Sequence, residues 1–164
     1  MERFNIMVTG PWQSGRMTFL QQVGGYPIVE IRPYVNTLVI PIDDELELQL
    51  FRTPGRQRMD FMWNYLPITI GIIELIDSSK PEHFREVRSI FETFRAYYPV
   101  PLIVAANKQD LPEAWSIDDL TVALHLEDWL PMVPCVATDH ASVRQVLLTL
   151  LEYVRADLEE PVLE

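Results

Sequence analysis

Residues 4–18 read FNIMVTGPWQSGRMT, and their pattern indicates the fold class. The first part of this stretch, Phe4–Thr9, has the apolar character of a buried strand, and a helix is predicted from about Arg16 to Val23. The loop between them begins at Gly10 and ends at Gly15. In such a loop the backbone N–H groups and the helix N-terminus point at an anion. The stretch therefore predicts a parallel sheet with a phosphate site after its first strand.

Further strands and helices alternate along the chain, which is typical of a parallel sheet covered by helices. An antiparallel hairpin is predicted where strands 35–42 and 45–51 flank Asp43 and Asp44. The fold class is therefore α/β, with a mostly parallel six-stranded sheet, one antiparallel hairpin and helices on both faces. We expect a single domain over residues 1–158 and a flexible C-terminal tail over residues 159–164. The other predicted strands are Ile68–Ile76, Leu102–Ala106 and Val133–Val136.

Composition excludes several classes of protein. The chain has 164 residues, and 13 basic against 24 acidic side chains give a net charge of −11. Such a charge disfavours nucleic-acid binding, because phosphate backbones are repelled. One cysteine excludes an internal disulfide, and the longest apolar run, 66–76, is too short for a membrane span. We expect a cytoplasmic protein without a membrane anchor.

A second motif follows a predicted buried strand. Asn107, Lys108 and Asp110 form the pattern Asn-Lys-x-Asp. The carboxylate can accept two N–H bonds from a guanine edge, while the asparagine and the lysine brace the loop. Because ligands of open α/β sheets bind at the carboxyl ends of strands, this motif and the glycine loop are expected at one site. The backbone of 135–139, after the last strand, is expected to flank the same base.

These motifs resemble those of the Ras-like small GTPases, and the resemblance covers nearly the whole chain. Within that superfamily the sequence is similar to a bacterial branch that includes the gliding-motility and conservon-type GTPases. Residues 50–63, LFRTPGRQRMDFMW, carry this likeness. They resemble the switch II of that branch, which reads T-P-G-Q before an aromatic-rich helix. The resemblance implies a Ras-like P-loop GTPase fold that takes GTP or GDP.

The resemblance also implies a role for particular residues. The phosphate-binding set is Gly10, Gln13, Ser14, Gly15, Arg16, Met17, Thr18 and Gly55. The guanine-binding set is Asn107, Lys108, Asp110, Ala137 and Thr138. The surface expected to contact protein partners is Arg52, Arg58, Phe61 and Trp63.

The sequence departs from the family pattern at the positions that bind phosphate and magnesium and orient the attacking water. Arg16 replaces the phosphate-binding lysine, and Met17 replaces the hydroxyl that binds magnesium, which needs oxygen ligands. Arg56 stands where the family has the glutamine that orients the attacking water, and the neighbouring Gln57 is out of register by one residue. Thr37 is the only threonine in the expected switch I, but it falls inside a predicted strand.

These substitutions indicate a degenerate GTPase. The first hypothesis is a regulatory protein-interaction module that binds guanine nucleotide weakly, with little magnesium and little or no GTP hydrolysis. A second is a nucleotide-free pseudo-GTPase scaffold that pairs with an active GTPase or a roadblock-type regulator. A third is a slow or partner-assisted GTPase.

Overall fold

A computed structural model describes residues 1–54, 64–97, 100–126 and 130–160. Within these residues seven strands form one mixed sheet, in the spatial order β2-β3-β4-β1-β5-β6-β7. The strands are β1 (Glu2–Thr9), β2 (Ile28–Arg32), β3 (Val35–Pro41), β4 (Leu46–Arg52), β5 (Thr69–Asp77), β6 (Leu102–Asn107) and β7 (Met132–Pro134).

The described helices connect these strands. They are α1 (Arg16–Gln22), α2 (Phe84–Tyr97), α3 (Ile117–Ala123) and α4 (His140–Glu159), with short 3₁₀ turns at Leu66–Ile68 and Pro81–His83. Two of them are capped by side chains in the expected way: Ser116 accepts from the Asp119 N–H and Asp139 accepts from the Ala141 N–H. Within the described residues no helix is both long enough and apolar enough to cross a membrane.

Strand pairing confirms the predicted architecture and corrects its strand count. β1 pairs in parallel with β4 and β5, while β3 and β4 form the predicted antiparallel hairpin. The expected six-stranded sheet is wrong by one, because β2 adds an edge strand antiparallel to β3. Most of β2 is exposed, and only Ile28 packs against the core. Residues 29–32 do alternate apolar and polar side chains, but the resemblance assigned this stretch to switch I, so no strand was predicted there.

The sheet is covered on both faces, as predicted. One face buries Ile6, Leu50 and Leu75 against α1 and α4, and the other buries Ile72 and Ile76 against α2 and α3. Each fully buried side chain of this kind stabilises the fold by about 1.5–3 kcal/mol. The two layers hold the sheet rigidly and fix the positions of its strand ends.

The carboxyl ends of three parallel neighbours lie at the same edge of the sheet. β1 ends at Thr9, β5 at Asp77 and β6 at Asn107. The loops that follow these strands are therefore adjacent, although they are far apart in sequence. This edge is where open α/β sheets bind their ligands.

Candidate functional site

At two positions of the loop after β1, the backbone has a conformation that only glycine adopts readily. Gly10 has φ 151° and Gly15 has φ 102°. A Cβ at Gly10 would overlap the Leu75 carbonyl oxygen, and one at Gly15 would overlap the Asn107 side-chain amide. Gln13 also has a positive φ, 63°, which is an uncommon and strained conformation for a residue with a side chain. Contacts with neighbouring parts of the chain therefore hold the loop in this conformation.

Asn107 is the main clamp on this loop. Its side-chain Nδ2 donates to the Ser14 carbonyl at 2.8 Å, and its Oδ1 accepts from the Ala137 N–H at 2.9 Å. The Asn107 side chain is buried at the end of β6. A single amide therefore joins the glycine loop to the loop after β7.

Lys108 is the second brace. Its Nζ donates to the Gln13 carbonyl at 3.0 Å and to Asp77 Oδ2 at 2.7 Å. Burial alone would raise the pKa of Asp77, but hydrogen bonds from Lys108 and Ser79 lower it below its ordinary value. Asp77 is therefore held as an anion. The bracing roles predicted for Asn107 and Lys108 are confirmed, whereas sequence reasoning missed Asp77.

The predicted guanine-binding residues surround one cavity of about 220 Å³. Asp110 lies exposed at its mouth, and the backbone after β7 closes another side. Gln109, the variable residue of the motif, points away and donates to Ser78 Oγ and the Trp115 carbonyl. The cavity is lined by Gly15, Thr18, Asn107, Lys108, Asp110, Leu111, Val136, Ala137 and Thr138. The fold thus brings the whole predicted base-binding set together.

The predicted phosphate-binding residues are arranged differently. Gly15 and Thr18 line the cavity, but Gly10, Gln13, Ser14, Arg16 and Met17 do not. The Ser14 hydroxyl is buried without a hydrogen-bond partner among the described residues. Trp12 is 66% exposed, so it does not fill the loop from inside.

Arg16, at the first position of α1, is turned into the protein. Its Nη1 donates to the Thr53 carbonyl just beyond β4, and the side chain is buried. Burial lowers the pKa of Arg16 to about 10, and the charge of Arg52 acts in the same direction. Arg52 is half-buried, and burial likewise lowers its pKa. The cation that replaces the family's lysine therefore lies against the sheet edge.

Glu74 is a buried acid near the site that sequence reasoning did not assign to it. It lies in β5 opposite Thr9 of β1, and it is 0% exposed. Neither carboxylate oxygen has a hydrogen-bond partner among the described residues. Burial raises the pKa of Glu74 well above its ordinary value, while the charge of Arg16 opposes that shift. The available signal was the single acidic side chain in the apolar run 70–76.

The described residues do not fit a magnesium ion. Met17 offers a thioether where magnesium prefers oxygen ligands. Thr37 lies buried inside β3, where the predicted strand placed it, and its hydroxyl donates to the Val29 carbonyl at 3.4 Å. No group of three carboxylate, imidazole or thiol side chains suited to a metal occurs in the part of the chain that the structure describes.

Several predicted residues lie outside the described residues. They belong to segment 55–63 and comprise Gly55, Arg56, Gln57, Arg58, Phe61 and Trp63. Their predicted roles in phosphate contact, water positioning and partner binding stay predictions. The tail residues 161–164 also lie outside, and Glu159, placed in the tail by the prediction, is instead the last residue of α4.

Comparisons with a family profile and with individual proteins point to the same family. The profile of the ADP-ribosylation factor (Arf) family matches residues 1–157. ADP-ribosylation factor-like protein 2 of Drosophila melanogaster is 26% identical over 163 residues, covering 96% of this chain and 88% of that protein. ADP-ribosylation factor-related protein 1 of Homo sapiens is 28% identical over 135 residues, covering 74% of this chain and 67% of that protein.

A solved structure has the same fold. The Arl6 (BBS3) small GTPase of Trypanosoma brucei, solved with the nucleotide analogue GppNp, superposes with a TM-score of 0.75 and 20% identity. The match covers 94% of this chain and 99% of that one. The expected placement in a bacterial gliding-motility or conservon branch is not supported, since these relatives are eukaryotic. The chain belongs to the ADP-ribosylation factor family and has the fold of a Ras-like small GTP-binding protein.

Proposed function

We propose that this protein binds guanine nucleotides mainly through the base, with little contribution from magnesium and little or no GTP hydrolysis. It acts as a regulatory module whose switch side contacts other proteins. Bound nucleotide changes the strength of that contact, and nucleotide hydrolysis is not required. The relative Arl6 of Trypanosoma brucei is described with a bound guanine-nucleotide analogue, which supports the choice of ligand.

The observation that carries the proposal is the Asn107 clamp beside the cavity. Asn107 joins Ser14 to Ala137, and the same loops enclose about 220 Å³ next to Asp110. An exposed carboxylate flanked by a fixed backbone provides acceptors and donors for the edge of a guanine. Adenine presents the opposite donor pattern at that edge, so this arrangement favours guanine.

Weak catalysis follows from the groups around the phosphates. Phosphoryl transfer to water needs a metal ion, a phosphate clamp and a positioned water together. Met17 supplies no oxygen, and Arg16 lies buried against the Thr53 carbonyl. With the first two requirements weakened, the expected turnover is close to the uncatalysed rate.

The inward position of Arg16 also favours a second candidate, a nucleotide-free scaffold that pairs with an active GTPase or a roadblock-type regulator. In that case the base cavity has no ligand. The two candidates differ in whether the purified protein takes up guanine nucleotide at all.

The experiment is a calorimetric titration of nucleotide-stripped protein with GDP and with ADP. We expect GDP to bind at least about tenfold more tightly than ADP, since one or two lost hydrogen bonds to a charged group cost that much. Asp110→Ala should remove this preference. Glu113→Ala, which deletes another exposed acid of the same loop, should keep it. Equal binding of GDP and ADP would refute the base preference on which the proposal rests. Absence of binding by either nucleotide would refute the proposal and leave the nucleotide-free scaffold.

A further inference from the structure

The loop between β6 and α3, residues 108–116, carries the exposed Asp110. Both ends of this loop are joined to Ser78, a fully buried residue that directly follows β5. The Ser78 N–H donates to the Asn107 carbonyl at 3.1 Å, and the Ser78 carbonyl accepts from the Trp115 N–H at 2.8 Å. The loop therefore leaves the sheet and returns to it beside the same residue.

Gln109 connects the two ends of the loop. Its side-chain Nε2 donates to the Ser78 hydroxyl at 2.9 Å and to the Trp115 carbonyl at 3.0 Å. Its backbone N–H donates to the Cys135 carbonyl at 3.3 Å. Trp115 is anchored in turn, because its ring packs edge-on against the core residue Phe84 with 5.2 Å between the ring centroids. An amide nitrogen carries two N–H donors, so Gln109 uses both of them within the fold.

The position of Asp110 depends on this connection. Asp110 follows Gln109 directly, and the next N–H along the chain, that of Leu111, donates to the Lys108 carbonyl at 3.0 Å. Ordering a mobile loop when a ligand binds lowers the affinity for that ligand. A loop whose two ends are already joined to the sheet avoids this loss.

We propose that Gln109 is a positioning residue for guanine recognition, because it holds the loop so that the Asp110 carboxylate stays beside the base cavity. This inference rests on the proposed function and names a residue that sets its base preference. Gln109 is not among the residues that line the cavity, so it acts through Asp110. A general effect on the loop would instead weaken the binding of every nucleotide equally.

The first test compares GDP with ADP in calorimetric titrations of the nucleotide-stripped full chain. Gln109→Met keeps the length of the side chain and removes both of its donors. It should lower the ratio of GDP to ADP affinity by about three- to tenfold, the usual effect of having to order a side chain on binding, and leave ADP affinity unchanged. The matched control is Gln145→Met, at an exposed glutamine of α4 that donates to the Thr149 hydroxyl at 3.4 Å. The control should keep the ratio of the natural chain.

A double-mutant cycle with Asp110 separates positioning from a general structural effect. In the Asp110→Ala background, Gln109→Met should leave GDP affinity unchanged, because the carboxylate that Gln109 positions is gone. Equal losses of GDP affinity in the two backgrounds would overturn the inference. Parallel losses of GDP and ADP affinity in Gln109→Met would overturn it as well.

Hydrogen exchange tests the same connection without nucleotide. Gln109→Met should make the Leu111 and Trp115 amides exchange about tenfold faster, since the loop that holds their hydrogen bonds then opens more easily. The Leu120 amide, which donates to the Ser116 carbonyl within α3, should keep its rate. Unchanged exchange of the first two amides would overturn the inference whether or not GDP binds. Failure of the natural chain to bind GDP, with exchange accelerated in the variant, would count against the proposed function alone.

Discussion

Asn107→Ala removes the clamp that joins the glycine loop to the loop after β7. The substitution leaves the Ser14 carbonyl and the Ala137 N–H without their partner, and both residues are almost fully buried. A buried polar group without its partner costs about 1–3 kcal/mol. Because the adjacent cavity admits water, the lower part of that range applies to each group. We expect a loss of about 2–4 kcal/mol in the free energy of unfolding, which is a large fraction of the stability of a domain of this size.

Urea unfolding at neutral pH measures this loss, and Asp110→Ala is the matched control. Asp110 belongs to the same motif but is exposed, so its removal should change the unfolding free energy by less than about 0.5 kcal/mol while abolishing the preference for guanine. Asn107→Ala should lose stability and base binding together. Equal stability of the two variants would show that Asn107 is not a structural clamp.

Three further predictions concern the same edge of the sheet. Lys108→Met should lower the unfolding free energy by about 1 kcal/mol at neutral pH and by less at about pH 3. The pKa of Asp77 is lowered in the folded state, so ionised Asp77 stabilises the fold at pH values above its pKa in the unfolded chain, and this stabilisation is lost as the pH falls. An equal loss of unfolding free energy at both pH values in urea titrations would contradict this. Gly15→Ala should cost at least about 2 kcal/mol in thermal unfolding, because the Cβ overlaps the Asn107 amide and φ is 102°, whereas Gly25→Ala, with open space around it, should be nearly neutral. Glu74→Gln should gain stability relative to the natural sequence as the pH rises from about 5 to about 8. The pKa of Glu74 is raised in the folded state, so the natural sequence loses stability over that range, and parallel melting-temperature profiles for the two proteins would argue against it.

The sequence predicted most of the sheet and its loops because local patterns determine them. The apolar run before Gly10 and the run before Asn107 predict two buried strands, and the loops after parallel strands must meet at one edge. The bracing roles of Asn107 and Lys108 followed from residue type and position. β2 was missed because the resemblance assigned its stretch to switch I, although residues 29–32 alternate apolar and polar side chains.

The charge network at the site could not be predicted in the same way. Arg16, Thr53 and Glu74 are distant in sequence, and the strand order β4-β1-β5 brings Thr53 and Glu74 to the two sides of the end of β1. Arg16 reaches this edge through its hydrogen bond to the Thr53 carbonyl. Asp77 is equally remote from the glycine loop and reaches it through Lys108. The substitution of the family's lysine by Arg16 was visible in the sequence, but its inward direction, towards the Thr53 carbonyl, was not.

In the proposed function the base, and not a magnesium–phosphate complex, holds the nucleotide. Calorimetric titration of GDP into the nucleotide-stripped full chain, once with magnesium chloride and once with a chelator, distinguishes the two modes of binding. We expect the two dissociation constants to agree within about threefold, because Met17 provides no oxygen ligand for magnesium. Binding that is about a hundredfold tighter with magnesium would contradict it.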